Sequence, residues 1–317
     1  MNSHLRKDIL SSNWVIVSND REFRPNEYRA KIKCPFCPGN EKETPPAICE
    51  LKDLKGWYIR VVPNKYPALT LENKNFQESE GLNRKFYVRG NHEVIIEDRN
   101  HFKKINEIKH LDKVLEIYAL RMKELYSLKN VKYVMLFRNY GQNAGASLIH
   151  PHSQIISMPL LPLRVSDELK HFKTYHLKNK KCAMCDILSD EKKFKKRIIF
   201  ENSHFVAFAP FASRFNFEIW VSPVNHEPDF YKETEFKKLS EALKNVFSKL
   251  HYSIKDLSYN MIIHTAPSGE KKFHWHIEIL PKIAMPAGFE WGSGFYINSL
   301  SPERISEILN KGIKFRY

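Results

Sequence analysis

The chain has no apolar run near the about 18 residues that a membrane span needs. Its opening, MNSHLRKDIL, lacks the apolar core of a secretory leader. These two absences lead to the expectation of a cytoplasmic protein with no membrane partner. Low-complexity and proline-rich tails are missing too, so no segment demands disorder. Acidic residues are in deficit, 36 against 51 lysines and arginines, for a net charge of +15. Such a balance suits nucleic acid, an anionic surface or small phosphorylated ligands. What remains is ordinary for a soluble globular protein, 42% hydrophobic and 27% charged. The 317 residues suffice for two domains at about 150 residues each. The densest basic stretches, Lys178 to Lys181 and Lys192 to Arg197, read as a solvated link between two halves.

Cysteine is sparse, but its placement is not random. Of five cysteines, four form C-x-x-C pairs, Cys34 with Cys37 and Cys182 with Cys185. A reducing compartment disfavours disulfides. Two thiolates three residues apart supply half of a tetrahedral zinc shell, and a thioredoxin-like redox pair is the competing reading. Cys49 stands alone and reads as a small buried apolar residue.

An internal repeat singles out the remaining ligands among 14 histidines. Each half runs from its C-x-x-C through apolar strands to a histidine, then a helical segment, another strand and an H-x-H motif. His101 and His150 are 49 residues apart; His226 and His274 are 48 apart. The helical segments match as well: Ile108, Leu111, Leu115, Tyr118 and Met122 share their offsets with Phe236, Leu239, Leu243, Val246 and Leu250. That pattern is one apolar stripe of a 3.6-residue helix in each half. Aromatic and β-branched runs at Trp14 to Val17, Ile59 to Val62, Val94 to Ile96, Val131 to Phe137, Val206 to Ala209, Phe217 to Val221, Tyr259 to Ile263 and His274 to Leu280 read as strands. The expected class is α+β, with two tandem domains, 1–165 and 166–317, each an antiparallel sheet carrying one long helix. The repeat assigns one metal to Cys34, Cys37, His101 and His150, and a second to Cys182, Cys185, His226 and His274. His264 and His276 are rival ligands for the second. Sites with four protein ligands have no open position and are structural.

The first H-x-H strand has chemistry to offer. Residues two apart on a strand share a face, so His152 and Gln154 go with His150. Pro151 cannot donate to a ladder, which places this stretch at a strand end or sheet edge. Upstream lies NYGQNAGAS, where Ser147 can donate to a phosphate. A fixed imidazole beside an amide suits nucleophilic attack on phosphorus. The second half has His274-x-His276-x-Glu278 instead, and a carboxylate there repels phosphate.

These motifs carry a family resemblance. CPFC, VVPNKYPAL, GASLIHPHSQ, APFASRFNFEIWVSP, HWHIE and GFEWGSGFYIN resemble the galactose-1-phosphate uridylyltransferase family, a duplicated branch of the histidine triad superfamily. The resemblance implies two histidine-triad-like domains and ping-pong transfer. His152 would take a uridylyl group from UDP-glucose and pass it to galactose 1-phosphate. It also implies that Ser147 and Gln154 hold phosphates and that Asn139 lies nearby. Arg21, Arg24 and Asn64 would surround the nucleotide, and Glu290 the hexose. Glutamine at position 154 is the transferase variant where hydrolases carry a third histidine. Homodimers are the family habit. Two features depart from the best-known bacterial members. No glutamine follows Glu290, and a C-x-x-C stands where those members bind iron, leaving zinc or iron open for the second metal. Both features resemble the branch of plant ADP-glucose phosphorylases, which transfer an adenylyl group to phosphate. The competing readings are a zinc-containing nucleic-acid-binding protein, which leaves His152 and Gln154 unexplained, and a nucleotide hydrolase.

Overall fold

The structure is a computed structural model and describes residues 3–11, 13–18, 33–72 and 76–316. The first half contains β1 (His4–Lys7), β2 (Trp14–Val17), β3 (Cys49–Asp53), β4 (Gly56–Pro63), β5 (Phe76–Glu80), β6 (Asn83–Tyr87), β7 (Asn91–Ile96), α1 (Leu111–Tyr126), β8 (Tyr133–Tyr140) and β9 (His152–Met158). Helices α2 (Leu163–Asn179) and α3 (Ala183–Phe194) follow. The second half adds β10 (Ile198–Glu201), β11 (Phe205–Phe208), β12 (Ile219–Pro223), α4 (Phe236–Ser253), β13 (Tyr259–His264), β14 (His276–Pro281), α5 (Gly288–Ser293) and α6 (Pro302–Lys311). This is an α+β fold whose sheets are antiparallel throughout the described residues.

The repeat shows in the topology. Ten strands make one sheet in the order β10-β11-β12-β14-β13-β8-β9-β7-β4-β3. Outward from the β13–β8 seam each half runs through its strands in the same sequence of roles. The H-x-H strand, β9 or β14, stands second from the seam in both halves. At the seam Tyr259 faces Tyr140 and Asn260 faces Asn139, which joins the halves through backbone hydrogen bonds. A separate sheet, β2-β1-β6-β5, belongs to the first half.

The two amphipathic stripes bury one face of the large sheet. On α1, Leu111, Leu115, Tyr118 and Met122 are fully buried, as are Leu239, Leu243, Val246 and Leu250 on α4. Each such side chain contributes about 1.5–3 kcal/mol of apolar burial. Ile108 is also buried but precedes α1 as the cap of a 3-10 turn. Strand limits differ from the expected ones by up to three residues, and local chemistry accounts for one of them. Phe217 has φ 61° and turns the chain before β12, so that strand starts at Ile219.

The basic stretches expected as a solvated link are solvent-facing, but they finish two helices rather than forming an irregular linker. They lie at the ends of α2 and α3, where Lys180 and Lys195 form left-handed caps with φ 57° and 52°. Leu169, Phe172, Met184 and Leu188 from these helices pack on Val206, Phe208 and Phe273. They cover the second half's other sheet face, and their lysines are the solvent side of amphipathic helices. The position between 165 and 166 falls inside α2. No helix among the described residues is long and apolar enough to cross a membrane.

Candidate active site and metal clusters

The first cluster is built around Pro151. Its ring precedes β9, and its carbonyl accepts from the Glu97 backbone N–H at 3.1 Å. His150 therefore sits just outside the strand, and its ring is fully buried. Its Nε2 donates to the Asp98 carbonyl at 2.7 Å, which leaves the Nδ1 lone pair facing Cys34 Sγ at 3.8 Å and Cys37 Sγ at 3.6 Å. His101 Nδ1 lies 3.3 Å from Cys37 Sγ. The four donor atoms lie within 4.8 Å of one another, so they could hold one metal ion. Burial pushes the Cys34 thiol up to about 12 and the His150 imidazole down to about 4. Burial also lowers His101. A neutral imidazole is the ligating form, and a bound dication deprotonates a coordinating thiol. The donor set thus suits a tetrahedral Cys2His2 site.

The second cluster repeats the first. His274 Nε2 donates to the Pro223 carbonyl at 3.1 Å, and Nδ1 faces Cys182 and Cys185 at 3.5 and 3.6 Å. His226 completes it, its ring 5.3 Å from that of His274. Burial holds His274 down to about 3 and Cys185 up to about 12. The rivals His264 and His276 group with Glu168 instead, a third set whose spacing could admit an ion.

His152 opens β9 and is nearly buried. Its Nδ1 lies 2.8 Å from the His150 carbonyl. A carbonyl only accepts, so Nδ1 carries the proton and Nε2 the lone pair. The Phe36 ring packs edge-on against both His150 and His152, 5.4 Å from the latter. His152, Gln154, Asn64 and Ser147 line one open cleft, with Phe36, Val62 and Tyr66 among its walls.

The other expected residues lie elsewhere. Asn139 Oδ1 accepts from Asn260 at the seam, 2.8 Å away, and does not line this cleft. Glu290 lies on α5, where its carboxylate caps its own helix at the Ala287 N–H, 3.0 Å away. It lines a separate cavity with Arg214, Phe215 and Tyr296. Arg21 and Arg24 lie outside the described residues.

Sequence reasoning missed His92. It is buried on β7, with Nε2 3.0 Å from Gln154 Oε1 and 3.1 Å from Asn64 Nδ2. A lone histidine in an apolar strand gives no signal of its own. Glu168 was missed likewise, as one acidic residue on an amphipathic helix. It stands 3.3 Å from His276 Nε2 and 2.9 Å from His264 Nδ1.

Comparisons with known proteins agree with this architecture. A family model described as a domain of unknown function (DUF4921) matches residues 57–315. ADP-glucose phosphorylase of Arabidopsis thaliana is 34% identical over 97% of this chain and 92% of its own. Galactose-1-phosphate uridylyltransferase of Thermotoga maritima is 32% identical over 97% of this chain and 98% of its own. The crystal structure of the Arabidopsis thaliana phosphorylase with bound ADP-glucose superposes with a TM-score of 0.78 at 33% identity, covering 98% and 99% of the two chains. The chain belongs to the galactose-1-phosphate uridylyltransferase-like family of nucleotidyltransferase enzymes.

Proposed function

We propose that this protein moves a nucleotidyl group from a nucleotide sugar to a phosphorylated acceptor through His152, with uridylyl transfer from UDP-glucose to galactose 1-phosphate as the first reading. The observation that carries it is the His152 tautomer. With Nδ1–H given to the His150 carbonyl, the Nε2 lone pair is ready for phosphorus without prior removal of a proton. Nε2 attacks the α-phosphorus; the P–N bond forms as the P–O bond to the hexose 1-phosphate breaks. The leaving phosphate takes that electron pair. The modified ring is an imidazolium whose Nδ1–H bond to His150 becomes charge-assisted. An acceptor phosphate oxygen then attacks, and the P–N pair returns to Nε2. The acceptor is already an anion, so the site has to supply orientation and charge stabilisation rather than a strong base. Gln154, Ser147 and Asn64 donate to phosphoryl oxygens from the cleft walls, and Asn139 steadies the seam beside them; a hexose role for Glu290 rests on the family resemblance alone, since within the chain it lines another cavity.

Zinc would be held by Cys34, Cys37, His101 and His150, and again by Cys182, Cys185, His226 and His274, as structural crosslinks. In the first half it would fix His150 and so the carbonyl that orients His152. Elemental analysis should find about two zinc per chain; active, metal-free protein would refute both assignments. We read 1–165 and 166–317 as histidine-triad-like units, the first catalytic, in a cytoplasmic homodimer.

A second reading, adenylyl transfer from ADP-glucose to phosphate, is favoured by the Arabidopsis thaliana relative and by WGSGFYIN after Glu290, which holds no glutamine. Intact mass after brief incubation with UDP-glucose, and separately with ADP-glucose, tests both. A uridylyl adduct discharged by galactose 1-phosphate establishes the first. An adenylyl adduct discharged by inorganic phosphate establishes the second. No adduct from either refutes His152 transfer.

A further inference from the structure

His92 meets a hydrogen-bond donor that cannot be turned round. The Ala68 backbone N–H points at His92 Nδ1 from 3.0 Å, so Nδ1 must accept. In a neutral ring the proton then sits on Nε2. Nε2 lies 3.0 Å from Gln154, and that proton needs an oxygen, which settles the Gln154 amide with Oε1 toward His92. The other end of the same planar group, the –NH2, is left for the cleft that Gln154 lines. Asn64 is set in the same manner. Its Oδ1 accepts from the Tyr66 backbone N–H at 2.9 Å, and its nitrogen, 3.1 Å from a protonated His92 Nε2, must seek an acceptor on the cleft side.

We infer that His92 is a positioning residue that locks the Gln154 amide so that its two N–H donors, with those of Asn64, face the transferring phosphoryl group. This rests on His152-mediated transfer. An unlocked Gln154 could present its carbonyl oxygen to an anionic phosphate half of the time, replacing attraction by repulsion. His92 has no reach to the substrate itself; its influence passes through a second side chain, and the two must behave as one unit.

Two isosteres separate the locking role from simple support of the fold. His92→Asn retains an acceptor near Nδ1 for Ala68 but loses the donor toward Gln154. His92→Gln retains that donor. The readout is the single-turnover rate of nucleotidyl-His152 formation from UDP-glucose or ADP-glucose, followed by intact mass. His92→Asn should slow it about 10-fold or more, with His92→Gln recovering most of the loss. Gln154→Ala should slow it about 10²-fold, and adding His92→Asn should cost nothing further. Losses that multiply in the double variant, or a His92→Asn rate equal to wild type, would overturn the inference while leaving the transfer reading intact. If wild type forms no adduct, both fall together. A stability loss from His92→Asn would recur in both backgrounds and would multiply, so it cannot imitate the expected result.

Discussion

His152 and His276 occupy the same station in the two halves, and each has Nδ1 against the carbonyl of the histidine two residues before it, at 2.8 and 3.2 Å. What differs is the cover. In the first half the cleft over β9 is walled by Pro45, Asn64 and Ser147 and stays open. In the second half α2 crosses the same face and brings Glu168 to within 3.3 Å of His276 Nε2. Glu278, at the station of Gln154, pairs with Arg214 at 2.8 Å and with His264 at 3.4 Å. Duplication kept the scaffold of each histidine. Under the proposed transfer, one helix and one amide-to-acid difference divide the two halves: a carboxylate of Glu278 stands at the station where Gln154 would meet a phosphate.

Replacing the two histidines one at a time should break the symmetry most strongly. His152→Ala should abolish the covalent adduct and lower turnover by about 10³-fold or more, since in the proposed transfer its Nε2 supplies the attacking lone pair. His276→Ala should still form the adduct on mixing with nucleotide sugar. Mass spectrometry of the quenched protein decides it, and an adduct surviving in His152→Ala would move the chemistry elsewhere.

The second half should instead report itself in stability. Burial opposes a charge on His264, but Glu278 and Glu168 on either side outweigh it and push its pKa up to about 10. The usual value is 6.5, so the folded state holds this proton more tightly than the unfolded chain. That stabilisation is complete below pH 6.5 and drains away as pH rises toward 10. Thermal midpoints should fall across this window. Glu278→Gln should cost about 3 kcal/mol near neutrality and flatten the alkaline slope, because His264 loses one of its two carboxylates. A slope unchanged by the substitution, or a midpoint sensitive to chelators but not to pH, would show that the cluster is not held by a protonated His264.

Much of this contrast was legible in the sequence, and the reason is spacing. A C-x-x-C followed by histidines at matching separations survives any fold that repeats, so both four-residue clusters could be named before their distances were known. The apolar stripes of α1 and α4 were legible for the same reason. What hid was everything carried by single residues against a new background. Glu168 and His92 have no pattern of their own; their meaning comes from strands brought beside them. The lysine-rich ends of α2 and α3 mask a narrower apolar stripe, so helices that cover a site read as a solvated link. Glu290 was placed by family resemblance, and its cavity is distinct from that of His152 within the chain.

Gln154→Glu carries the second half's acid into the first and sharpens the comparison at one atom. His92 can donate to the carboxylate as it does to the amide, so the fold should hold. Turnover should drop about 10²-fold, because a donor facing the phosphoryl oxygens becomes a charge of the same sign. Steady-state rates at saturating nucleotide sugar measure it. A loss confined to substrate affinity would mean that Gln154 binds the ground state and the transition state alike.

The smallest effect concerns the seam, where the halves are least different. Asn260, on the second half's β13, donates to Asn139 Oδ1 at 2.8 Å and to the Ala144 carbonyl at 2.9 Å. Ala144 belongs to the turn that leads to Ser147, so a residue of the second half braces a loop of the first. Gly141 makes this turn possible: its φ is 85°, and a Cβ there would lie 2.1 Å from Ser258 Oγ. Asn260→Ala removes both bonds while the backbone pairing of Asn260 with Asn139 remains. The cost in stability should be about 1 kcal/mol, set by two partly buried neutral hydrogen bonds. If the brace serves Ser147, KM for the nucleotide sugar should rise several-fold with kcat nearly kept. An equal fall in kcat would place the loop in the chemical step itself, and no change in either would confine the second half's role to closing the sheet.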